Sequence, residues 1–280
     1  MKSVQQIMLG TVCTSEKTAL ETLSRIRRAG YDAVELNSFM THPTPLVVRM
    51  LTKAAGMPTG KCGKLDWKAL LRESSLLASA YHTDLGSLER NPDSVIEDAA
   101  AYGTDRVVIT GMYRFDYRRR DAVSDLAARL DDAGGKLRSS GLRLFYHNHN
   151  AELLRTGKDE CAYDMLIRET DPEKVFFEFD SYWIADAGGS PLFWMEKLGQ
   201  RMKLWHIADR GTRIGRTPMT PIVKSDSVEL GTGNMMLAEL QNAAKKNGIE
   251  CVVLESHRNW IDSDPVKSLE MSGEWLRKYF

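Results

Sequence analysis

Several features are missing from this 280-residue chain, and each absence removes a class of function. No C-x-x-C pair occurs. Cys13, Cys62, Cys161 and Cys251 stand far apart, which excludes a zinc knuckle or a dense disulfide frame and suits reduced thiols in a cytoplasmic protein. Neither sign of charge is in excess. Lys plus Arg and Asp plus Glu both number 38, so there is no electrostatic case for nucleic acid or an anionic membrane as partner. Long apolar runs are absent too. The opening MKSVQQIMLGTVC holds one Lys and no run of signal-peptide length, and nothing further along could span a bilayer. No Pro/Ser linker, low-complexity tract or internal repeat divides the chain. The expectation is one cytoplasmic domain over residues 1–280.

What is present is alternation. Strands are expected at Gln6–Val12, Tyr31–Asn37, Leu77–Leu85, Arg106–Thr110, Leu142–Asn150, Val175–Asp180, Met202–Ile207 and Glu250–Ser256. Between them lie segments with apolar residues at helical spacing, among them 15–30, 43–55, 66–75, 91–102, 121–140, 161–169, 191–198, 234–247 and 265–278. Ser15 caps the first and Gly30 stops it; Asn91 caps another, with Pro92 in the first turn, where a missing N–H costs nothing. Parallel strands need crossovers, and such a barrel typically takes about 250 residues, so eight strand–helix units predict a closed (β/α)₈ TIM barrel. An open doubly wound sheet would more often place G-x-G-x-x-G after its first strand, and LGTVCTS offers one Gly.

In a barrel of this kind the site gathers at the carboxyl ends of the strands. Those ends carry His147, His149 and Glu152 in LRLFYHNHNAE, Asp180 after VFFEF, His206 and Asp209 around the seventh strand, and Glu255 and His257 after CVVL. A carboxylate directly following such an apolar run is costly to desolvate unless something positive receives it. Two carboxylates and an imidazole from adjacent strands, with a third carboxylate nearby, make a divalent-metal cage. Its donors are mostly hard oxygens, which favours Mn²⁺, with Co²⁺, Mg²⁺ or Zn²⁺ as the other candidates. A ring of buried salt bridges at the barrel rim is the competing reading. Glu178, inside its strand, reads as structural or as support for the site.

Other residues are weighed in the same way. His42 reads as surface, and His82 as a candidate substrate contact at the third strand's end. Trp183 and Trp194 could each form an apolar wall for a sugar ring or be core, and for Trp194, on a helix, core is the better reading. The long irregular stretch Asp209–Gly233 reads as a lid or binding loop, and its Arg210, Arg213 and Arg216 could clamp a carboxylate or phosphate. Tyr113–Arg120, YRFDYRRR, reads first as surface or a homo-oligomer contact.

GYDAVELN, YHNHNAE, FEFDSYWIADAG, LWHIADR, ELGTGNM and VVLESH follow one another along the chain. In this order and spacing the sequence resembles the sugar phosphate isomerase/epimerase-like proteins of the xylose-isomerase-type barrel superfamily, over essentially its whole length. The resemblance implies Asp180, His206 and Glu255 as metal ligands. Many relatives carry a glutamate inside the fifth strand, near the place of His147. The chain departs there, and Glu152 is expected as the fourth ligand, with His147 or His149 as competitors. The remaining histidine would bond a substrate hydroxyl or act as acid or base. His147, His149, Trp183, Arg213 and His257 are the expected substrate contacts. The activity implied is metal-dependent isomerisation or epimerisation of a small keto-sugar or polyol through an enediolate. Glu152 or Glu255 would remove the α-proton. The alternative is a lyase or dehydratase acting on a keto-sugar, inosose or 3-keto-glycoside, with His149 as the acid. Apurinic endonucleases share the superfamily, but the histidine they carry three residues after the sixth-strand aspartate is Trp183 here. A barrel that binds a ligand without catalysis is the reading left from a different class.

Overall fold

Strands covered on both faces read as continuous apolar runs, and those runs become β1 (Lys2–Gln5), β2 (Ala33–Asn37), β3 (Leu77–Thr83), β4 (Arg106–Thr110), β5 (Arg143–His147), β6 (Val175–Asp180), β7 (Met202–Ile207) and β10 (Cys251–Leu254). These eight close into the expected barrel in the order β1-β10-β7-β6-β5-β4-β3-β2. The computed structural model describes residues 1–43, 50, 61–215 and 217–280. Most of the helix expected over 43–55, and Arg216, lie outside the described residues.

Two departures from the sequence reading have local causes. The first strand is Lys2–Gln5, and Gln6–Leu9 is a 3₁₀ turn rather than the start of a strand. The Gln5 side chain accepts the Ile7 N–H and so caps the turn. The stretch 209–233 is not irregular throughout. It holds an antiparallel ribbon of β8 (Asp209–Gly211) and β9 (Asp226–Val228).

By density of contact the chain divides into two units. The first comprises Met1–Leu77, Ile207–Gln241 and Val252–Phe280. In it β1 pairs with β2 and β10 in parallel register. The helix Glu16–Arg28 starts on a Ser15–Thr18 capping box and is tied to the helix Pro265–Tyr279 by the Arg25–Glu270 pair at 2.8 Å. Gly273 is required there, because a Cβ would lie 2.6 Å from the carbonyl oxygen of Ala29.

The second unit comprises Ala78–His206 and Asn242–Cys251 and holds most of β3 together with β4 to β7. Its strands run in parallel, with His147 abreast of Glu178 and Asp180 abreast of His206. The second of these pairings depends on a bulge. Phe177 pairs with Met202, but Glu178 pairs with Leu204, so β7 gains one residue on β6. An unbroken register would set Asp180 against Trp205. Side chains alternate faces along a strand, so the bulge turns an imidazole, rather than an indole, toward Asp180.

Candidate functional site

The second unit gathers five of its ionisable side chains at the carboxyl ends of its strands. Glu178 and Asp180 are two apart on β6 and therefore share a face. His82 comes from β3, His147 from β5 and His206 from β7; all five residues are buried. Glu178 Oε2 lies 3.0 Å from His82 Nε2, 3.0 Å from His147 Nδ1 and 3.2 Å from His206 Nε2. The other nitrogens of two of these rings face Asp180: His147 Nε2 is 4.0 Å and His206 Nδ1 is 3.9 Å from Oδ2. Ligand atoms of His147, Asp180 and His206 all lie within 4.8 Å of one another.

Asp180 is held from several sides. Its Oδ1 accepts the Trp183 N–H at 2.9 Å and so caps the helix Ser181–Asp186. The buried amide of Asn148 clamps its backbone, accepting from the Asp180 N–H at 3.0 Å and donating to its carbonyl at 3.2 Å. Tyr163 in turn donates to Asn148 Oδ1 at 3.2 Å. With one carboxylate oxygen engaged by its own helix, Oδ2 is the oxygen directed at the imidazoles.

Glu152 occupies a different place in the same unit. The 3₁₀ turn Ala151–Leu153 buries it, Tyr146 donates to its Oε1 at 2.7 Å, and the His149 N–H donates to its Oε2 at 3.0 Å. Tyr117 continues the chain, with its hydroxyl 2.9 Å from that of Tyr146 and accepting the Met112 N–H at 2.8 Å. Burial, and then the Glu152 charge, push both phenols above their ordinary range, so they remain protonated donors. Gly111 makes room for this group. A Cβ there would lie 2.7 Å from Glu152 Oε1, 3.2 Å from the Tyr117 hydroxyl and 3.3 Å from His149 Nδ1. The ring of half-buried His149 lies 5.0 Å from that of His147 and 5.9 Å from that of Trp183. Thus His147, not Glu152, is the fifth-strand residue whose donor atoms group with those of Asp180 and His206, and Glu152 stands beside His149.

The first unit carries the remaining expected residues. Glu255 follows β10, and its N–H donates to the carbonyl of Ile207, the residue after His206 in the chain. His257 Nε2 lies 3.2 Å from Glu255 Oε1. Asp209 is a loop clamp: its carboxylate accepts the N–H groups of Arg210, Gly231, Gly233 and Met235. That explains the ELGTG turn, in which Gly231 has φ +82° and Gly233 approaches the Asp209 carboxylate too closely for a side chain. The Arg213 guanidinium is paired with Glu229 and donates to the Asn259 carbonyl at 3.2 Å.

His82, read as a candidate substrate contact, and Glu178, read as structural or as support for the site, both join the buried group of His147, Asp180 and His206. The signal was present, because Glu178 shares the period-two face of Asp180. As expected, His42 is exposed and Trp194 is a core residue, 5.0 Å from Tyr163 between ring centres. Arg118, Arg119 and Arg120 are paired with Asp116, Asp121 and Glu160. Among the described residues no helix is long and apolar enough to cross a membrane.

Comparison with known proteins agrees with this architecture. An inosose dehydratase of Lacticaseibacillus casei is 32% identical over 90 residues, 32% of this chain and 29% of that protein. The chain therefore matches less than a third of the length of that curated relative. A sugar phosphate isomerase/epimerase from Parabacteroides distasonis superposes with a TM-score of 0.75 at 22% identity, covering 99% of this chain and 93% of its own. The IolI protein, solved with a bound zinc atom, superposes with a TM-score of 0.65 at 14% identity over 100% and 99% of the two chains. Likenesses at these identities establish the fold. The xylose isomerase-like TIM barrel profile matches residues 23–279, and the chain belongs to that family.

Proposed function

We propose that the chain is a divalent-metal-dependent enzyme that enolises a small keto-sugar or a polyol that carries a carbonyl. The observation that carries this reading is the convergence of His147, Asp180 and His206 ligand atoms within 4.8 Å. Two neutral imidazoles and a carboxylate suit a divalent cation. On the resemblance of VVLESH, Glu255 is the fourth donor. Two carboxylates then balance the cation, and two nitrogens move the preferred metal from Mn²⁺ toward Zn²⁺. When bound, the cation would supply Lewis acidity that stabilises negative charge developing on a substrate oxygen.

The chain's own residues do the proton work. A carboxylate, Glu152 or Glu255, takes the proton α to the carbonyl; the C–H electrons form the enediol double bond and the carbonyl oxygen takes up the charge. Trp183 beside His149 offers a flat apolar surface to a sugar's C–H face. Return of the proton to the opposite face of the carbon gives the epimer; return to the neighbouring carbon, with the hydroxyl proton passing to the former carbonyl oxygen, gives the isomer. His257, whose Nε2 lies 3.2 Å from Glu255 Oε1, would bond a substrate hydroxyl. Arg213, paired with Glu229, is the candidate contact for an anionic substituent.

A second reading has its own support. His149 lies 5.9 Å from Trp183 between ring centres, and curated relatives are named inosose dehydratase. The same enediolate expels a β-hydroxyl or glycosidic oxygen if His149 protonates the leaving group. Incubating the metal-loaded protein in D₂O with ketoses, inososes and 3-keto-glycosides separates the readings. Deuterium uptake without loss of water or aglycone supports isomerisation or epimerisation, and loss of either supports elimination. A stoichiometric metal with none of these reactions on any of the three substrate classes overturns both.

A further inference from the structure

We propose that Glu178 is a positioning residue that decides which nitrogen of each imidazole carries a proton. It thereby makes His147 offer Nε2, and His206 offer Nδ1, to a cation at Asp180. This deepens the function proposed above and relies on it only for the cation.

An ionised carboxylate is an acceptor with no proton to give. Three ring nitrogens, His82 Nε2, His147 Nδ1 and His206 Nε2, lie 3.0 to 3.2 Å from the single oxygen Oε2. With Glu178 ionised and no cation bound between them, each nitrogen at that separation brings a proton, since an unprotonated nitrogen would set lone pair against lone pair. Glu178 and all three imidazoles are buried, so the carboxylate needs these N–H donors to replace water. The consequence is an asymmetry between two neighbouring ligands. His147 is protonated on Nδ1 and His206 on Nε2, and their opposite nitrogens are the ones 4.0 and 3.9 Å from Asp180 Oδ2. Register produces this arrangement: His147 lies abreast of Glu178, whereas the β7 bulge sets His206 abreast of Asp180, two residues on. The two rings therefore approach Glu178 with different edges. His82, from β3, donates the third N–H and braces the same oxygen from another strand. Carboxylates behind ligating imidazoles commonly fix their tautomer and orientation in this way.

The test reads the rings before any metal is added. Long-range ¹H–¹⁵N spectra of the full-length metal-free protein, with the six histidines assigned through single substitutions, report the proton on each ring nitrogen. The expected result is a proton on Nδ1 of His147 and on Nε2 of both His82 and His206. Absence of a proton from any of these three positions overturns the proposal. Zinc loading should leave all three N–H groups in place. Loss of His147 Nδ1–H on loading would make Glu178 part of the ligand group rather than its support, and also overturns it. Glu178→Gln keeps the shape but makes the side chain a mixed donor and acceptor. It should change the tautomer of at least one ring and weaken zinc binding, read by competition with a chromophoric chelator, about 10- to 100-fold. Unchanged tautomers and affinity in a folded variant overturn the proposal. If that variant does not fold, the wild-type spectra decide alone. Expected tautomers in a wild-type protein that retains no divalent ion would defeat the metal-dependent function and leave this inference standing.

Discussion

Glu178 and Glu250 belong to the same unit and each meets several side-chain nitrogens, but at opposite ends of the strands. Glu250 precedes β10 and takes hydrogen bonds from Arg143 at 2.8 and 2.9 Å and from Arg106 at 2.9 and 3.3 Å. Those arginines open β5 and β4, and Arg143 also holds Asp105 at 2.9 Å. Guanidinium keeps its proton at any ordinary pH, so this end is a permanent ion-pair network that joins strand starts. Glu178 meets imidazoles instead, and an imidazole can be a donor on one nitrogen and an acceptor on the other. The same acceptor thus builds two different things. With guanidinium partners it ties strand starts together, and with imidazole partners it orients groups that can bind a cation and move protons.

The sharpest way to break this contrast is to remove the carboxylate that the imidazoles face. Asp180→Asn keeps an oxygen for the Trp183 N–H cap, so the helix Ser181–Asp186 should survive. Metal analysis should show loss of the stoichiometric ion, and turnover should drop about a thousandfold, about 4 kcal/mol in barrier. Retention of full metal and near-normal turnover would make the imidazole end another structural network.

The Glu152–His149 pair sharpens the comparison next. His149→Ala should retain metal and lose about a hundredfold in turnover, the ordinary contribution of a positioned acid or base. Glu152→Gln should also retain metal if His147 supplies the fifth-strand ligand; metal loss in that variant would return Glu152 to the ligand group. Elemental analysis alongside turnover separates these outcomes.

Gly111→Ala tests how tightly the Tyr117–Tyr146–Glu152 chain is packed. The new methyl must displace Glu152 Oε1, so thermal unfolding should show a loss of about 1–3 kcal/mol, with reduced turnover and metal still bound. Unchanged stability would mean that this loop shifts freely and does not hold Glu152.

The smallest effect is expected at the arginine end. Burial works to raise the Glu250 carboxyl, but the hydrogen bonds and charges of Arg143 and Arg106 together outweigh it and hold it below the ordinary 4.5. A folded pKa below the unfolded one means stability that is complete above 4.5 and lost as pH falls through the folded value. Glu250→Gln should therefore be less stable than wild type by about 1–2 kcal/mol at pH 7, a range set by partial exposure of the network. The gap should narrow as pH drops below 4.5. Metal content should not change. A gap independent of pH would assign the effect to packing rather than charge.

Much of the architecture was written in local pattern. Apolar β-rich runs and helical spacing marked the strands, and seven of the eight barrel strands fall where those runs predict them. Gln6–Leu9 misled because its apolar content matches a strand, while the Gln5 cap, a side-chain contact, makes it a turn. The ribbon β8–β9 escaped because its strands are three residues each, too short for any period to register. The Asp209 carboxylate collects N–H groups from 231, 233 and 235, partners that spacing along the chain does not reveal.

The sequence by itself determined that a barrel forms, and that Asp180 and His206 end neighbouring strands, because both depend on composition and on a two-residue alternation that any strand obeys. For the fifth strand it points to Glu152, with His147 or His149 as competitors. That choice belongs to tertiary structure, since it turns on distances between side chains from different strands. Tyr146 and the His149 N–H draw Glu152 away, while pairing with Glu178 turns His147 inward. The β7 bulge is the plainest case. A single-residue shift in register decides whether His206 or Trp205 faces Asp180, and register arises from pairing between strands, which neither strand encodes alone.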